Sequence, residues 1–503
     1  MIAAATLVAA ALRLFRLGHQ SLWIDEIFSW YSAGMGGPLA VRDLLENVHG
    51  PLYSLLLHAC MRAGGDAEWV LRAPSALAGI LTVPAFAWLA ARWLGRESAG
   101  IAAWVAAGSP FLVWYSQEAR NYSLLVLLVC VSAAALLELQ RRCDVPRVAR
   151  YLLLAGAALL SNLSFALLAP LHLRWWLAGD AATRTARVRA LLAVTALLVL
   201  LAAPWFGSIA RTWDWRRLQP DREAVAGETA LRGATTFHAA AVPFALHAFA
   251  VGYTLGPSLR ELRAHAGAAT LKRHAPELLA AGTVFGALAV AGIVALARRK
   301  RLADTLLWLV APGLVVSYFA AQNFKVFHPR YLAVSLPCVL LVLVAAFTDL
   351  PSRWRRIGMA AVAALWAMSL YQHYFVADYA REDYRGALAV VRGRIAPGEQ
   401  VLAMGSEDPV RFYARGLTVD RLWLGHVDQP GVMPEKFAAK LSQAGGTWVV
   451  LSREEDLDPA DRFARWLEQT YPRAGRWKRP GVRVWHLTGS DVAAAAPAAP
   501  AVP

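Results

Sequence analysis

The sequence predicts an α-helical protein that crosses a membrane many times and carries a small α/β domain at its C-terminal end. Of the 503 residues, 57% are hydrophobic and only 17% are charged, whereas a soluble protein of this length has roughly a quarter of its residues charged. Apolar stretches of about 17–25 residues, long enough to cross a bilayer, recur along most of the chain. Short arginine clusters separate them, as is typical of cytoplasmic loops.

The apolar stretches predict about eleven transmembrane helices. Single stretches lie at about 2–17, 70–94, 98–115, 122–139, 188–207, 277–297, 304–321, 331–348 and 356–375. A further stretch at 151–177 is interrupted by Ser161, Asn162 and Pro170, and it is long for one helix. Because arginine clusters on both sides of it favour the cytoplasm, we interpret it as two short, tilted helices.

The chain is predicted to consist of a membrane part, residues 1–376, and an α/β domain, residues 377–489. Because the predicted number of crossings is odd, this domain lies on the outer side. Loops 18–69 and 208–276 fall on the outer side as well. The tail at 490–503 consists almost only of Ala and Pro and is predicted to be disordered.

Two parts of this outline have more local support. Mixed apolar and polar faces at 38–48 and 51–62 predict two amphipathic helices on the membrane surface. In the C-terminal domain, β-type runs at 447–451 and 482–487 alternate with helical patterns, such as 384–394 and 460–470, which favours an α/β fold.

Charge and cysteine content exclude some classes of function. The net charge of +16 is spread over short clusters between apolar stretches, which is the pattern of membrane topology and not of nucleic-acid binding. The four cysteines lie in or beside apolar segments, and their spacing offers neither a disulfide framework nor a CxxC metal site.

An acidic pair, Asp25 and Glu26, follows the first apolar stretch, in the segment 22–29. Two adjacent carboxylates among apolar and aromatic residues repel each other and are partly desolvated, which raises the pKa of at least one of them. Such a group suits a general base or a metal ligand. The alternative is an acidic turn, or a helix N-terminus that favours negative charge.

Two other outer loops carry candidate residues. Glu118 and Arg120 occupy a very short turn, where Arg120 could bind a phosphate or lie against lipid headgroups and pair with Glu118. Lys325, His328 and Arg330 depart from the usual depletion of cations on the outer side. They indicate an anionic ligand or, alternatively, headgroup binding.

The combined segments resemble the GT-C glycosyltransferases, in particular the protein O-mannosyltransferases and the bacterial lipid A aminoarabinose transferases. The matching pieces follow the family order: 22–29, 49–53, 71–75, 115–122 and 329–332, with 252–258 common in bacterial members. The resemblance covers about residues 10–375. Ser161 and Asn162 stand where many relatives carry a histidine-containing element.

The resemblance implies roles for individual residues. Asp25 is expected to be the general base, and Glu26 to assist it or to hold a divalent cation (Mg, Mn or Zn), for which Asp25 and Glu118 are also candidate ligands. Donor-phosphate contacts are expected from Arg120, Lys325 and Arg330, and accessory substrate contacts from His49, Tyr53, Glu118 and His328.

The implied function is the inverting transfer of a sugar, hexose or pentose, from a polyprenyl-phosphate donor to an envelope acceptor: a lipid, a glycan or a protein. The implied location is the outer face of a bacterial inner membrane. Two alternatives remain, a transporter or flippase of lipid-linked sugars and a non-catalytic scaffold. A transporter would place charges inside its helices, where this sequence has few. A scaffold would not require Asp25, Glu118 and Arg330 to converge.

Overall fold

The computed structural model describes residues 1–35, 37, 44, 50–178, 183–212, 240–264, 267–321, 327–421, 445–458 and 461–488. The predicted surface helix at 38–48, apart from Leu44, and the predicted tail at 490–503 lie outside them. The helices up to residue 212 are α1 Ile2–Leu14, α2 Ile24–Ser32, α3 Pro51–Gly64, α4 Glu68–Trp93, α5 Ala99–Gly108, α6 Pro110–Ser116, α7 Tyr122–Arg141, α8 Val145–Ser161, α9 Ala169–Leu177 and α10 Arg184–Thr212. Those that follow up to residue 375 are α11 Ala241–Val251, α12 Leu259–Ala264, α13 Ala268–Arg273, α14 Ala275–Arg298, α15 Leu302–Ala321, α16 Leu336–Asp349 and α17 Ser352–Phe375.

The chain is a multi-pass membrane protein. Within the described residues, six helical segments are long and apolar enough to cross a bilayer, namely Glu68–Trp93, Tyr122–Arg141, Arg184–Arg211, Ala275–Arg298, Leu302–Ala321 and Pro329–Asp349. The other predicted stretches are also helical but are shorter or less apolar, so the total of about eleven crossings stays a prediction. The predicted surface helix at 51–62 is the helix α3.

The stretch predicted at 98–115 forms two helices, α5 and α6, which meet at Ser109. A residue before proline is pushed out of the helical region, and Ser109 precedes Pro110 with ψ 116°. Its hydroxyl accepts a hydrogen bond from the Leu112 amide at 3.5 Å and so caps α6. The helix α6 that begins after this break ends at Ser116, directly before the short loop that carries Glu118.

The stretch 151–177 folds back on itself, as the prediction of two short helices requires. Asn162 is extended (φ −160°, ψ 127°), and its side chain accepts a hydrogen bond from the Ser164 amide at 2.9 Å. The returning helix α9 brings His172 to Tyr151 of α8, with 2.9 Å between the hydroxyl and Nδ1. Whether each helix crosses the bilayer stays a prediction.

The C-terminal region contains a five-stranded mixed sheet. Its strands are β1 Gln400–Met404, β2 Val419–Arg421, β3 Gly446–Ser452, β4 Gly475–Arg479 and β5 Val482–Thr488, in the order β2-β1-β3-β5-β4. Its helices are α18 Tyr384–Arg392, α19 Glu407–Tyr413, α20 Glu454–Leu457 and α21 Arg462–Thr470. The predicted strands at 447–451 and 482–487 are confirmed.

Both faces of this sheet are covered, as the alternation of side chains along a strand allows. Leu402 and Val449 face α21, which contributes Phe463 and Leu467. Val401 and Trp448 belong to the opposite face, which α18 covers.

The sheet region rests on the segment that follows α1 and on the first residue of α4. Arg385 pairs with Glu68 at 2.8 Å, and the Ser21 hydroxyl donates to Asp383 at 3.0 Å. The Tyr413 hydroxyl accepts a hydrogen bond from the Leu22 amide at 2.8 Å. These contacts hold the segment between α17 and α18 over the loops that carry the candidate site residues.

Candidate active site

A cavity of about 230 Å³ lies where these loops meet the sheet region. Four stretches of the membrane part and three of the C-terminal region contribute to it. Its lining residues are Trp23, Ile24, Asp25, Trp114, Tyr115, Glu118, Tyr253, Ser258, Leu259, Arg260, Arg263, His328, Arg330, Asp378, Tyr379, Ala380, Arg381, Glu382, Tyr384, Ser406 and Arg453. Four predicted site residues, Asp25, Glu118, His328 and Arg330, therefore line one space. The scaffold alternative did not require Asp25, Glu118 and Arg330 to converge in this way.

Asp25 and Arg330 form an ion pair at the edge of the cavity. The distance between Arg330 Nη1 and Asp25 Oδ2 is 2.5 Å, and the two side chains are 17% and 19% exposed. Asp25 lies in the first turn of α2, where the helix dipole favours a carboxylate. The pair remains accessible from the cavity, so Asp25 can meet a substrate while Arg330 holds it in place.

Glu26, by contrast, is fully buried and faces away from the cavity lining. Its carboxylate accepts hydrogen bonds from Arg72 Nε and Nη2, both at 2.8 Å, from the Ala119 amide at 2.8 Å and from Arg381 Nη1 at 3.1 Å. Burial alone would raise the pKa of Glu26, but Arg72 and Arg381 outweigh it and hold the pKa below its usual range. A carboxylate engaged in this way holds loops together, and it has little capacity left to hold a cation or move a proton.

Glu118 presents one carboxylate oxygen to protein donors and leaves the other without one. Arg381 Nη2 donates to Oε1 at 2.7 Å and Trp114 Nε1 at 3.0 Å. Oε2 is buried and has no hydrogen-bond partner among the described residues. Burial raises the pKa of Glu118, and Arg381 only partly opposes this. A buried acceptor without a donor costs free energy, so Oε2 is suited to a substrate hydroxyl.

Arg330 has a buried N–H donor without a partner, just as Glu118 has a buried acceptor without one, as far as the described residues go. Its guanidinium lies 5.7 Å from the Trp23 ring and 5.3 Å from the Tyr331 ring. Its Nε is buried and has no partner within the described ranges. A guanidinium binds phosphate through several N–H groups at once, and this N–H remains available for an anion.

His328 adjoins Arg330 but does not add to the positive charge. Burial, with Arg330 and Arg263 nearby, lowers the pKa of His328 well below its ordinary value. The neutral ring accepts a hydrogen bond from the Arg330 amide at 3.3 Å and lies 5.9 Å from the Tyr253 ring. Of the predicted cationic cluster, Arg330 is thus the member that the structure places at the cavity as a charge, while Lys325 lies outside the described residues.

Arg120 and Tyr53 lie outside the main cavity and line a smaller one beside it. Arg120 Nη1 donates to the Asp25 carbonyl at 3.0 Å and to the Ser29 hydroxyl at 3.2 Å. The Tyr53 hydroxyl meets the Ser75 hydroxyl at 2.8 Å, and Ser75 donates to the Arg120 carbonyl. Both residues support the backbone that presents Asp25 and Glu118. His49, the remaining predicted contact, lies outside the described residues.

Sequence reasoning did not single out Arg72 and Arg381, which hold Glu26. Arg72 stands inside one of the segments that carry the family resemblance, 71–75, so a link to the site could have been inferred. Arg381 stands in a charged run shortly after α17, the last helix of the membrane part. Its partners are more than 250 residues away in sequence, and no local pattern reveals them.

The predicted metal ligands, Asp25 and Glu118, do not suit a resident divalent cation. The Oδ2 atom of Asp25 accepts from Arg330, and Oε1 of Glu118 accepts from Arg381, so each carboxylate already faces a guanidinium. A cation between them would meet two positive charges at close range. Within the described residues, no group of three or more His, Cys, Asp and Glu side chains is arranged to hold a metal.

Comparisons with known proteins support this fold. The sequence model of the dolichyl-phosphate-mannose-protein mannosyltransferase family matches residues 48–207. That range includes Glu118 and Arg120 but neither Asp25 nor Arg330. No curated protein sequence is a significant match.

Solved structures resemble nearly the whole chain. ArnT from Cupriavidus metallidurans, crystallised with undecaprenyl phosphate, has a TM-score of 0.59 at 14% identity over 99% of both chains. The oligosaccharyltransferase AglB from Archaeoglobus fulgidus, in complex with an inhibitory peptide and a dolichol-phosphate, has a TM-score of 0.56 at 14% identity over 97% of this chain and 74% of AglB. A structure of the Archaeoglobus enzyme with Zn and sulfate has a TM-score of 0.53 at 15% identity, covering 96% of this chain and 72% of that one. The chain therefore has the GT-C glycosyltransferase fold.

Proposed function

We propose that this chain is an inverting glycosyltransferase that moves a hexose or pentose from a polyprenyl-phosphate donor to an acceptor in the cell envelope. The acceptor is a lipid, a glycan or a protein, and the reaction takes place at the outer face of a bacterial inner membrane. The family match and the GT-C fold support transferase chemistry. Neighbours of this fold have solved structures in complex with undecaprenyl phosphate and with a dolichol-phosphate, which favours the same class of donor.

One observation carries the proposal: the cavity combines a buried donor without a partner on Arg330 with a buried acceptor without a partner on Glu118, as far as the described residues go. A phosphate oxygen would satisfy the first, and a hydroxyl of the sugar or acceptor would satisfy the second. Asp25 lines the same cavity, is accessible and is paired with Arg330. A sugar phosphate ester is the class of ligand that offers both groups together.

The proposed step is a single displacement. The acceptor oxygen or nitrogen forms a bond to the anomeric carbon while the bond from that carbon to the phosphate oxygen breaks. Asp25 takes the proton of the attacking group, and the polyprenyl phosphate leaves with the electron pair. Because negative charge grows on the phosphate, Arg330 stabilises the transition state more than the ground state. One displacement inverts the configuration at the anomeric carbon.

Roles differ within the predicted set. Asp25 is the proposed base, Arg330 the proposed phosphate contact, and Glu118 the proposed contact to a substrate hydroxyl. Glu26, Arg120 and Tyr53 are proposed to position the loops, because their side chains bind protein groups. No step depends on a metal ion, since the arginines supply the positive charge. His49 and Lys325 remain proposed substrate and phosphate contacts on the strength of the family resemblance alone.

The donor proposal is tested by measuring undecaprenyl phosphate binding to the purified protein with native mass spectrometry. Arg330→Gln removes the cation, and we expect at least about a tenfold loss of affinity, the typical effect of losing a charge-assisted hydrogen bond. Arg415→Gln is the matched control, because Arg415 pairs with Asp66 outside the cavity. Equal affinity in Arg330→Gln and wild type would contradict the proposed phosphate site.

A further inference from the structure

Arg381 joins the two carboxylates of the buried network to the C-terminal sheet region. It lies between the last membrane-part helix, α17, and the first helix of the sheet region, α18. Its guanidinium donates to Glu26 Oε2 at 3.1 Å and to Glu118 Oε1 at 2.7 Å, and the side chain is 9% exposed.

Aromatic rings and a backbone contact hold Arg381 on its other sides. The guanidinium carbon lies 5.8 Å from the Trp23 ring and 5.2 Å from the Trp114 ring. The Arg381 amide donates to the Gln20 side chain at 3.2 Å. A planar guanidinium that binds two carboxylates and lies against two aromatic rings has little freedom to rotate, which fixes its N–H donors.

This arrangement decides which oxygen of Glu118 stays without a protein donor among the described residues. Arg381 and Trp114 both bind Oε1, and Oε2 is left for a substrate. Arg381 also opposes the effect of burial on the pKa of Glu118. The other groups that face Glu118 are Glu26, Asp25, Arg330, Tyr115 and Tyr253. Of the two arginines, Arg381 is the one that touches its carboxylate.

We propose that Arg381 is a positioning residue for the reaction proposed above: it fixes Glu118 with one oxygen presented to the substrate, so that docking of the C-terminal sheet region completes the active site. The inference rests on the proposed function for its catalytic meaning. A supporting residue of this kind matters because small displacements of a catalytic group cost large factors in rate.

The chain offers a matched control for the docking part of this proposal. Arg415 also belongs to the sheet region, pairs with an acid of the membrane part, Asp66, at 2.7 Å, and lies over aromatic rings, those of Trp30 and Phe412. It does not line the cavity. Arg415→Gln therefore loses an ion pair between the same two parts, although a more exposed one, and leaves Glu118 untouched.

The test compares Arg381→Gln, Arg381→Lys and Arg415→Gln in two measurements. The first is a pH titration of the purified protein by infrared spectroscopy, in which the Glu118 carboxyl band is assigned by its loss in Glu118→Gln. The second is the amount of transferred sugar, measured by mass spectrometry in a deletion strain that expresses each variant at wild-type level.

We expect Arg381→Gln to move the Glu118 titration to higher pH and to lower the product roughly tenfold or more, as for a lost bond to a charged group. Arg381→Lys keeps the positive charge but loses the two-pronged guanidinium. We therefore expect its Glu118 titration to lie closer to that of wild type than its amount of product does. Arg415→Gln changes neither. An unchanged Glu118 titration in Arg381→Gln, or an equal loss of product in Arg415→Gln, would overturn the proposal.

The two measurements distinguish a failure of the proposed function from a failure of the positioning role. If wild type makes no product, the proposed function fails, while the infrared titration still reports whether Arg381 controls Glu118. If wild type makes product and the titration does not move, the positioning role fails and the proposed function stands.

Discussion

At the scale of single residues, Asp25 and Glu26 are neighbours in sequence with opposite surroundings. Successive side chains of a helix point about 100° apart, and in α2 this turns Asp25 toward the cavity and Glu26 into the protein. Asp25 has one ion pair and stays accessible, whereas Glu26 is fully buried and bound by two arginines and two backbone amides. The acidic pair therefore divides into one group available for chemistry and one that holds the loops.

Glu26→Gln is expected to destabilise the protein by about 3–5 kcal/mol, because it leaves Arg72 buried without its charge partner. The pKa of Glu26 is lowered in the folded state, so its contribution is present above the unfolded pKa of about 4.3. It is lost as pH falls through the folded pKa. Thermal unfolding in detergent at neutral and acidic pH measures both effects.

The control for this prediction is Asp66→Asn, which loses an exposed pair with Arg415. Exposed pairs are worth about 0–1 kcal/mol, so its melting temperature should stay near that of wild type. A Glu26→Gln protein as stable as Asp66→Asn at neutral pH would show that the buried network does not hold the loops.

The sequence could indicate Asp25, Glu118 and Arg330 as a set, because the family resemblance relates segments that are far apart in the chain. It could not separate the role of Glu26 from that of Asp25. That difference comes from Arg72 and Arg381, whose contacts with Glu26 span 46 and 355 residues. For the same reason, the sequence predicted Arg120 as a phosphate contact and gave no sign that its Nη1 donates to the Asp25 carbonyl and the Ser29 hydroxyl.

At the scale of elements, long apolar stretches were predicted more easily than the breaks within them. The stretch 98–115 was predicted as one helix, but Pro110 divides it into α5 and α6. In the sheet, the apolar strands β3 and β5 match their predictions. The strand β4, Gly475–Arg479, was not predicted, because it lies at the edge of the sheet and carries charged residues, as edge strands commonly do.

The fold-back of α8 and α9 predicts that the turn after Asn162 faces the outer side. In intact cells, a membrane-impermeant thiol reagent should label Leu163→Cys, because Leu163 is exposed at this turn. Peptide-resolved mass spectrometry also reports two native cysteines as controls, with Cys60 expected to be labelled and Cys143 protected. Labelling of Leu163→Cys only after the cells are opened would show that the pair does not reach the outer side.

At the scale of the whole molecule, the cavity exists only because distant parts of the chain meet. The loops after α1 and α6, the turn before α16 and the segment before α18 each supply part of its lining. The membrane helices bring the first three together, and the sheet region adds Arg381, Tyr384, Ser406 and Arg453. This explains why hydropathy could predict the membrane part and the C-terminal domain but not the cavity between them.

The central claim, that Asp25 is the base of a sugar transfer, is tested most directly by mass spectrometry of envelope lipids, glycans and proteins. A deletion strain would be complemented with wild type, Asp25→Asn or the exposed control Asp66→Asn, at equal protein levels. We predict that one sugar modification is lost on deletion, returns with wild type and Asp66→Asn, and stays absent with Asp25→Asn. If Asp25→Asn restores every modification that wild type restores, Asp25 is not the base and the proposed mechanism is wrong.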